Sequence, residues 1–401
     1  MICQFSFANF KSYKNETTLD FQAEPIPEFA DSVIKQDKCS ELLPVSAIYG
    51  PNGGGKSNVL QALACLISTV VKPIHDLEKN RVSLIIQQHV AAEPFLYDEV
   101  SKKKPTEFRV FFRQGTYEYC YYLEILDNQV VSEILDRKMC GNTEIESVFS
   151  REGETITLGS ILAKEQVNTN VNLKMPFISF LAINYNIPVI ADVQTWFESC
   201  IIQSYANPMV EQVIMVPMKV GLKKKILQLL NDMDIDVQNY RFDTKTQEVY
   251  LTRAVSGHTY ELSFNHESDG TKKLIAMLPS ILIALQEGRL VIIDELDAKL
   301  HPKLLRYVIA LFTDSKINKH GAQLLFTSHD MFTLKNTVFR RDEIWFAALD
   351  KDHSSELYSL YEMRNENNER VTNTAAYDKQ YIEGRYGADP YLKSMLSEEN
   401  W

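Results

Sequence analysis

A glycine-rich stretch near residue 50 has the residue types and spacing of a phosphate-binding loop. Read from Gly50, the sequence fits the pattern G-x-x-x-x-G-K-[ST], which ends at Lys56 and Ser57. Glycines allow backbone N–H groups to converge on phosphate oxygens, because a Cβ would crowd the ligand or forbid the required dihedral angles. The pattern predicts Lys56 on the β- and γ-phosphates and the Ser57 hydroxyl on Mg²⁺. The nucleotide-binding residues predicted in this stretch are Gly50, Asn52, Gly53, Gly54, Gly55, Lys56, Ser57 and Asn58.

A second stretch, RLVIIDELDAKLHP, places two carboxylates after an apolar run. The four apolar residues 290–293 predict a buried parallel strand that ends in Asp294 and Glu295. At the carboxyl end of such a strand, Asp294 would lie beside the phosphate loop and bind Mg²⁺ through water. Glu295 is placed to polarise the attacking water as general base. Together with the phosphate loop, this pair predicts ATP hydrolysis.

Two further motifs lie where they could complete such a site. In QLLFTSHD, an apolar strand runs into His329, which could reach the γ-phosphate from the neighbouring strand as a catalytic switch. In ESDGTKKLIAML, Ser268 begins a helix, with Gly270 two residues on. That helix start offers a hydroxyl, bare backbone N–H groups and the positive end of the helix dipole. An ordinary serine N-cap is the structural alternative.

The elements that must position these residues can be predicted from hydropathy periodicity. QFSFANF and TTLDF read as a β-hairpin, VSAIY as a buried strand before the loop, and the residues after Ser57 as a helix. EFRVFF, TYEYCYYLEIL and QVVSEILDRKM predict an antiparallel meander. From about residue 160 to 245 the pattern is mostly helical, clearest in KVGLKKKILQLLNDM. QEVYLTRAV and TYELSF follow as strands. These patterns predict an α/β fold.

The amino-acid composition indicates which partners the protein can bind and in which compartment it works. Asp and Glu outnumber Lys and Arg by 53 to 42, giving a net charge of -11. A protein that coats DNA would be basic, so DNA contact is expected only through local basic patches such as residues 102–104 and 223–225. Six scattered cysteines without a C-x-x-C pair argue against zinc and for a reducing compartment. No signal peptide is recognisable, and the apolar runs read as too short or interrupted to span a bilayer. We expect a cytoplasmic protein that uses no membrane.

The order of these motifs resembles that of the ABC-class ATPases, in the RecF, SMC and OLD branch. The resemblance implies an ABC-ATPase head, a P-loop NTPase fold whose mixed sheet carries an antiparallel meander and a mainly helical insertion. It divides the chain into an ATPase lobe I (1–140), the insertion (141–245) and an ATPase lobe II (246–401). The signature helix of one subunit then completes the γ-phosphate site of another, so that Ser268 and Gly270 act in trans in an ATP-bound homodimer or a higher oligomer.

The same resemblance assigns roles to a few other residues. Residues 298–301 correspond to the loop that joins the two active sites, and His301 stands where transporters usually have Asp. Lys11 resembles the basic residue that approaches the nucleotide in RecF-like heads, although a plain surface lysine is the alternative. Gln87 and Gln88 are candidates for the glutamine that senses Mg²⁺ and water.

Motifs along nearly the whole chain resemble one bacterial subgroup. They include F-x-F-x-N-F-K-S, G-P-N-G-G-G-K-S-N, E-P-F, E-S-D-G-T-K-K-L, D-E-L-D-A-K-L-H-P and RRDEIWF. These are similar to the AAA-family, RloA-like ATP-binding proteins of restriction and phage-defence loci, which work beside a separately encoded nuclease- or toxin-like partner. No H-N-H arrangement or supported D-x-D lies outside the ATPase motifs, and little sequence follows His329. We therefore expect the effector to be another protein.

Two other functions fit the same motifs. One is a RecF-like clamp for DNA repair, which would need a basic DNA surface. The other is an ATP-stabilised scaffold that sequesters a toxin with incidental turnover. A transporter subunit is disfavoured, because the separation of Ser57 from Ser268 is roughly double the usual spacing. An AAA+ ring motor is disfavoured because no arginine-finger segment is recognisable.

Overall fold

The helices and strands follow the predicted order over most of the chain. A computed structural model describes residues 1–77, 90–204, 220–243, 245–246, 248–364 and 368–388. The strands of these residues are β1 (Ile2–Ala8), β2 (Thr17–Asp20), β3 (Val45–Tyr49), β4 (Thr106–Gln114), β5 (Tyr117–Leu126), β6 (Gln129–Met139), β7 (Glu146–Glu152), β8 (Thr155–Leu158), β9 (Ile201–Ser204), β10 (Asn239–Asp243), β11 (Glu248–Val255), β12 (His258–Ser263), β13 (Leu290–Asp294), β14 (Gln323–Thr327), β15 (Ile344–Leu349) and β16 (Ser355–Ser359). The helices are α1 (Lys56–His75), α2 (Phe177–Asn184), α3 (Pro188–Ser199), α4 (Val220–Asp232), α5 (Asp269–Glu287), α6 (Pro302–Thr313) and α7 (Tyr377–Ile382).

The central sheet brings the chemical motifs to one edge. Its strand order is β16-β15-β3-β14-β13-β9, with β16 antiparallel and the other strands parallel. Every residue of β3 and β14 is buried, because parallel strands in such a sheet are covered on both faces. The carboxyl ends of β3, β14 and β13 lie side by side. The loops that follow these three strands hold the phosphate-loop, His329 and Asp-Glu motifs.

A second sheet forms the predicted meander and extends further than predicted. Its order is β2-β1-β4-β5-β6-β7-β8, with antiparallel pairing throughout. The hairpin of β1 with β2 and the meander of β4, β5 and β6 are confirmed. Strands β7 and β8 continue the sheet past residue 140, where the sequence predicted a mainly helical insertion. In β7, ESVFSRE carries only two adjacent fully apolar residues, so its alternation is weak in sequence.

The segment 141–245 therefore mixes strands and helices. It contributes β7 and β8 to the meander, β9 to the edge of the central sheet, and α2 and α3 to the core under the meander. Helix α4 confirms the amphipathic stretch, with Ile226 and Leu230 buried. Strands β11 and β12 also form as predicted and pair with β10 in a small antiparallel sheet. The division into three domains stays a prediction.

Two hydrophobic cores enclose the central sheet. Ile48, Ile292 and Leu325 point to the core shared by α1, α2, α3 and the meander. Their chain neighbours Ala47 and Ile293 point to the core formed with α4, α5 and α6. The alternation follows from the two-residue period of a strand. The α/β fold with a mixed central sheet and an antiparallel meander is confirmed.

Helix α1 corrects one expectation about its apolar run. The apolar run alone reads as too short or interrupted for a bilayer, but the whole helix has 20 residues and is long and apolar enough to cross a membrane by length and composition. Helices α2 and α3 pass the same test only as one span bent by 111°. Of the most apolar window of α1, 67% is buried inside the protein. Its side chains pack in the core between the two sheets, as in the core helix of a folded domain.

Candidate functional site

The phosphate-loop motif forms the predicted strand, loop and helix. Strand β3 ends at Tyr49 and α1 begins at Lys56. A Cβ on Gly50 would lie 2.1 Å from the carbonyl oxygen of Ala347 in β15, and one on Gly54 would lie 2.6 Å from the same atom. Gly55 has φ 101°, and its Cβ would lie 2.4 Å from a serine hydroxyl. Close packing against β15 and the start of β16 therefore requires glycine at these positions.

Lys56 lies folded over its own loop. Its ammonium donates to the carbonyl oxygens of Gly50 at 3.0 Å and Pro51 at 2.9 Å, and the residue is buried. Burial lowers the pKa of Lys56, and the nearby carboxylates of Asp294 and Glu295 oppose that shift. The ammonium thus faces the acidic edge of β13 across the loop.

Two hydroxyls converge on one carboxylate oxygen beside the loop. Ser57 Oγ donates to Asp294 Oδ1 at 3.0 Å, and Thr327 Oγ1 donates to the same oxygen at 2.6 Å. Thr327 Oγ1 also accepts the backbone N–H of Glu295 at 2.7 Å. The predicted pair Ser57 and Asp294 is therefore brought together at the ends of α1 and β13. Thr327 was missed by sequence reasoning, although it ends the strand that leads to His329.

The oxygen atoms at this position fit Mg²⁺. Hydroxyl and carboxylate oxygens are its preferred protein ligands, and such sites use one or two carboxylates together with water and substrate phosphates. Among the described residues, no group of three or more His, Cys, Asp or Glu could hold a metal ion. Ser57 and Asp294, whose oxygens lie 3.0 Å apart, are the side chains that could hold such an ion here.

Glu295 and His329 lie on the exposed side of the same edge. Glu295 is exposed and has φ 49°, so the chain turns sharply at the end of β13. The backbone N–H of His329 donates to Asp297 Oδ2 at 3.1 Å. His329 lines a cleft of about 590 Å³ together with Gly50 and Asn52. Burial and then the Lys56 charge lower the pKa of His329, with the three carboxylates at residues 294, 295 and 297 opposing.

Ser268 and Gly270 lie at the start of α5. Ser268 is exposed and caps the helix, its Oγ accepting the N–H of Thr271 at 3.2 Å. A Cβ on Gly270 would lie 2.6 Å from the carbonyl oxygen of Lys299. Within the described ranges, neither Ser268 nor Gly270 hydrogen-bonds to residues 50–58. His301, in the joining loop, caps α6 through Nδ1, which accepts the N–H of Lys303 at 3.2 Å.

Lys11 and Asn58, which are predicted to contact the nucleotide, hydrogen-bond to protein side chains. Lys11 Nζ donates to Gln61 Oε1 on α1 at 2.6 Å. Asn58 Nδ2 donates to Ser12 Oγ at 2.7 Å, and Tyr13 OH donates to the carbonyl oxygen of Gly55 at 3.3 Å. The turn after β1 is thus hydrogen-bonded to the phosphate loop and to the start of α1. Gln87 and Gln88 lie outside the described residues.

This geometry forms a P-loop site at the carboxyl edge of a mostly parallel central sheet. The chain belongs to the family described as "AAA domain, putative AbiEii toxin, Type IV TA system", whose model matches residues 45–335. No curated protein matches the chain.

Solved structures of SMC heads are among its structural neighbours. The SMC head domain from Thermotoga maritima is 12% identical with a TM-score of 0.41, over 89% of this chain and 98% of that one. An SmcHead bound to the C-winged helix domain of ScpA is 13% identical with a TM-score of 0.41, over 89% and 97%. The Smc head with an extended coiled coil, bound to the C-terminal domain of ScpA derived from Pyrococcus furiosus, is 12% identical with a TM-score of 0.37, over 89% and 96%.

Proposed function

We propose that this chain is a Mg²⁺-dependent ATPase. The observation that carries the proposal is the convergence of Ser57 and Thr327 on one oxygen of Asp294, with Glu295 as the next residue. Ser57 and Asp294 would hold the metal ion. When bound, Mg²⁺ would neutralise charge that develops on the β- and γ-phosphates.

The side chains around the loop supply the other parts of phosphoryl transfer. The loop N–H groups bind phosphate oxygens, and Lys56 exchanges its two carbonyl partners for the phosphates. Glu295, exposed beside Asp294, accepts a proton from the attacking water. His329 donates a hydrogen bond to the γ-phosphate from the other side of the loop. Positioning of the reacting groups and stabilisation of charge in the transition state then account for most of the rate enhancement.

A second copy of the chain is proposed to complete this site. Ser268 and Gly270 offer a hydroxyl and free N–H groups at the N-terminus of a 19-residue helix, where the helix dipole favours an anion. Ser268 is exposed, so a second chain can reach it. ATP then joins two chains, and each chain gives its phosphate loop to one site and its α5 start to the other.

The cellular role proposed is control of a separately encoded effector in bacterial antiphage defence. The family description names a toxin and a type IV toxin–antitoxin system, which supports a toxin-linked role. We place this role in the cytoplasm as part of the proposal. RloA-like proteins, which the motifs resemble, work beside such an effector. The net charge of -11 gives no general attraction to DNA. ATP-dependent, salt-sensitive DNA binding would instead favour a repair clamp.

Steady-state ATP hydrolysis with Mg²⁺ tests the enzymatic part. Lys56→Ala is expected to abolish nucleotide binding, because the loop loses its charge partner for the phosphates. Glu295→Gln is expected to bind ATP as wild type does but to turn over about 10²–10⁴-fold more slowly, as for loss of a general base. Glu287→Gln, at the exposed far end of α5, is the matched control and should keep the wild-type rate. A Glu295→Gln variant with wild-type turnover would contradict the assignment.

A further inference from the structure

A buried lysine joins α5 to the turn that follows the Asp-Glu pair. Lys273 is 3% exposed, and its ammonium donates to the carbonyl oxygens of Glu295 at 2.6 Å and Ala298 at 2.9 Å. Burying an ammonium costs several kcal/mol unless its protons are hydrogen-bonded. The two carbonyls therefore fix where the end of this side chain lies.

The turn that Lys273 contacts has an unusual backbone. Glu295 has φ 49° and Lys299 has φ 65°, and both are in the left-handed region that non-glycine residues rarely occupy. Such conformations persist only when the surroundings hold them. The N–H of Glu295 donates to Thr327 Oγ1, and its carbonyl accepts from Lys273. The backbone of the proposed general base is thus fixed on both sides.

The start of α5 contacts the same turn at two further points. Gly270 packs against the carbonyl oxygen of Lys299, so closely that a Cβ would clash. The Lys299 ammonium pairs with Asp269 at 3.0 Å. If the start of α5 moved, the turn after β13 would therefore move with it, and so would Glu295.

We propose that Lys273 is a positioning residue that couples the two ATP sites of the dimer. The inference rests on the proposed function, in which Ser268 and Gly270 bind the ATP held by the second copy. Contact of the α5 start with that ATP is transmitted through Lys273 to the carbonyl of Glu295 in the chain's own site. Each site then hydrolyses ATP efficiently only when the opposite site is occupied.

ATP turnover and nucleotide affinity of Lys273→Met test this role. Methionine keeps most of the side-chain volume but donates no hydrogen bond. We expect kcat to fall at least tenfold, the affinity for a fluorescent ATP analogue to stay within twofold, and the Hill coefficient for ATP to fall from above 1 to 1. Lys273→Arg keeps the charge and the donors and should recover most of the turnover. Lys303→Met, at an exposed lysine of α6, should match wild type throughout.

Four results would overturn the inference. They are wild-type turnover in Lys273→Met, a parallel loss of affinity and kcat, failure of Lys273→Arg to recover turnover, and a wild-type Hill coefficient of 1. If Lys273→Met does not fold, Lys273→Gln is measured instead, because its shorter neutral side chain cannot reach both carbonyls. Failure of the proposed function is recognised separately, since the wild-type protein would then show no turnover.

Discussion

His329 shows how one residue depends on its charged neighbours. It lines the cleft beside the phosphate loop. The charges of the Lys56 ammonium and of three nearby carboxylates interact with its imidazole ring. Burial and Lys56 outweigh the carboxylates, so its pKa lies below the usual 6.5. The imidazole is therefore mainly neutral at pH 7, with one N–H to donate to a phosphate oxygen.

The pH dependence of kcat/KM tests this protonation state, because it reports the free enzyme. If His329 acts as proposed, the neutral imidazole is the active form, so activity should stay level from pH 8 to pH 7 and fall only below 6.5. His329→Gln cannot titrate there, so its profile should lose that acidic limb while its rate falls about tenfold or more. His258→Gln, at an exposed histidine of β12, should keep the limb. An acidic limb centred above 6.5 would contradict the lowered pKa.

For single residues, the sequence predicted where each lies in the fold, but it did not predict which other residues each one contacts. The places of Ser57, Asp294, Glu295 and His329 in the fold could be predicted because each follows a strand or loop with a recognisable pattern. Thr327 and Lys273 could not, because their importance depends on which strand and helix lie beside them. For Lys11, the sequence alone did not show that Gln61 accepts its hydrogen bond.

Among the elements, β15 packs so closely against the phosphate loop that it limits which residues the loop can contain. The carbonyl of Ala347 occupies the space in which a Cβ on Gly50 or Gly54 would lie. Gly53 has φ 79°, but no atom lies within 4 Å of its Cβ position. The loop glycines therefore have two different reasons to be glycine, packing at residue 50 and backbone conformation at residue 53.

Matched alanine substitutions separate these reasons. Gly53→Ala should cost only the strain of a positive φ, about 1–2 kcal/mol of unfolding free energy. Gly50→Ala adds a backbone clash and should cost at least about 4 kcal/mol, in the range of the most destabilising single substitutions. Denaturant unfolding of both variants measures the difference. Equal losses of stability would show that β15 does not constrain the loop.

The sheets were predictable where alternation was strong. β5 alternates buried and half-buried residues along TYEYCYYLEIL, and the meander around it was found from sequence. β7 was not, because polar residues dominate it, and β8 was not, because it has only four residues. Pairing of β7 with β6 and of β8 with β7 gives them their places in the sheet. The position of β9 at the edge of the central sheet likewise depends on pairing with β13, far away in sequence.

For the whole molecule, the central question is whether one chain contains a complete site. The phosphate loop, Asp294, Glu295 and His329 lie together at one edge of the sheet. Ser268 and Gly270 lie at the start of α5, against the turn that follows Glu295. In the proposed two-chain site, each chain gives its phosphate loop to one site and its α5 start to the other.

Mixing two inactive variants tests this arrangement most directly. Glu295→Gln binds ATP without hydrolysing it, and Ser268→Arg blocks the exposed start of α5. In a mixed dimer, the loop of the Ser268→Arg chain meets the intact α5 start of the Glu295→Gln chain, so one site is whole. Random pairing then sets an upper limit of about a quarter of wild-type turnover in an equimolar mixture, and loss of coupling through the blocked α5 start should lower it below that limit while keeping it above the sum of the two separate variants. Turnover no greater than the sum of the two separate variants would contradict the two-chain site.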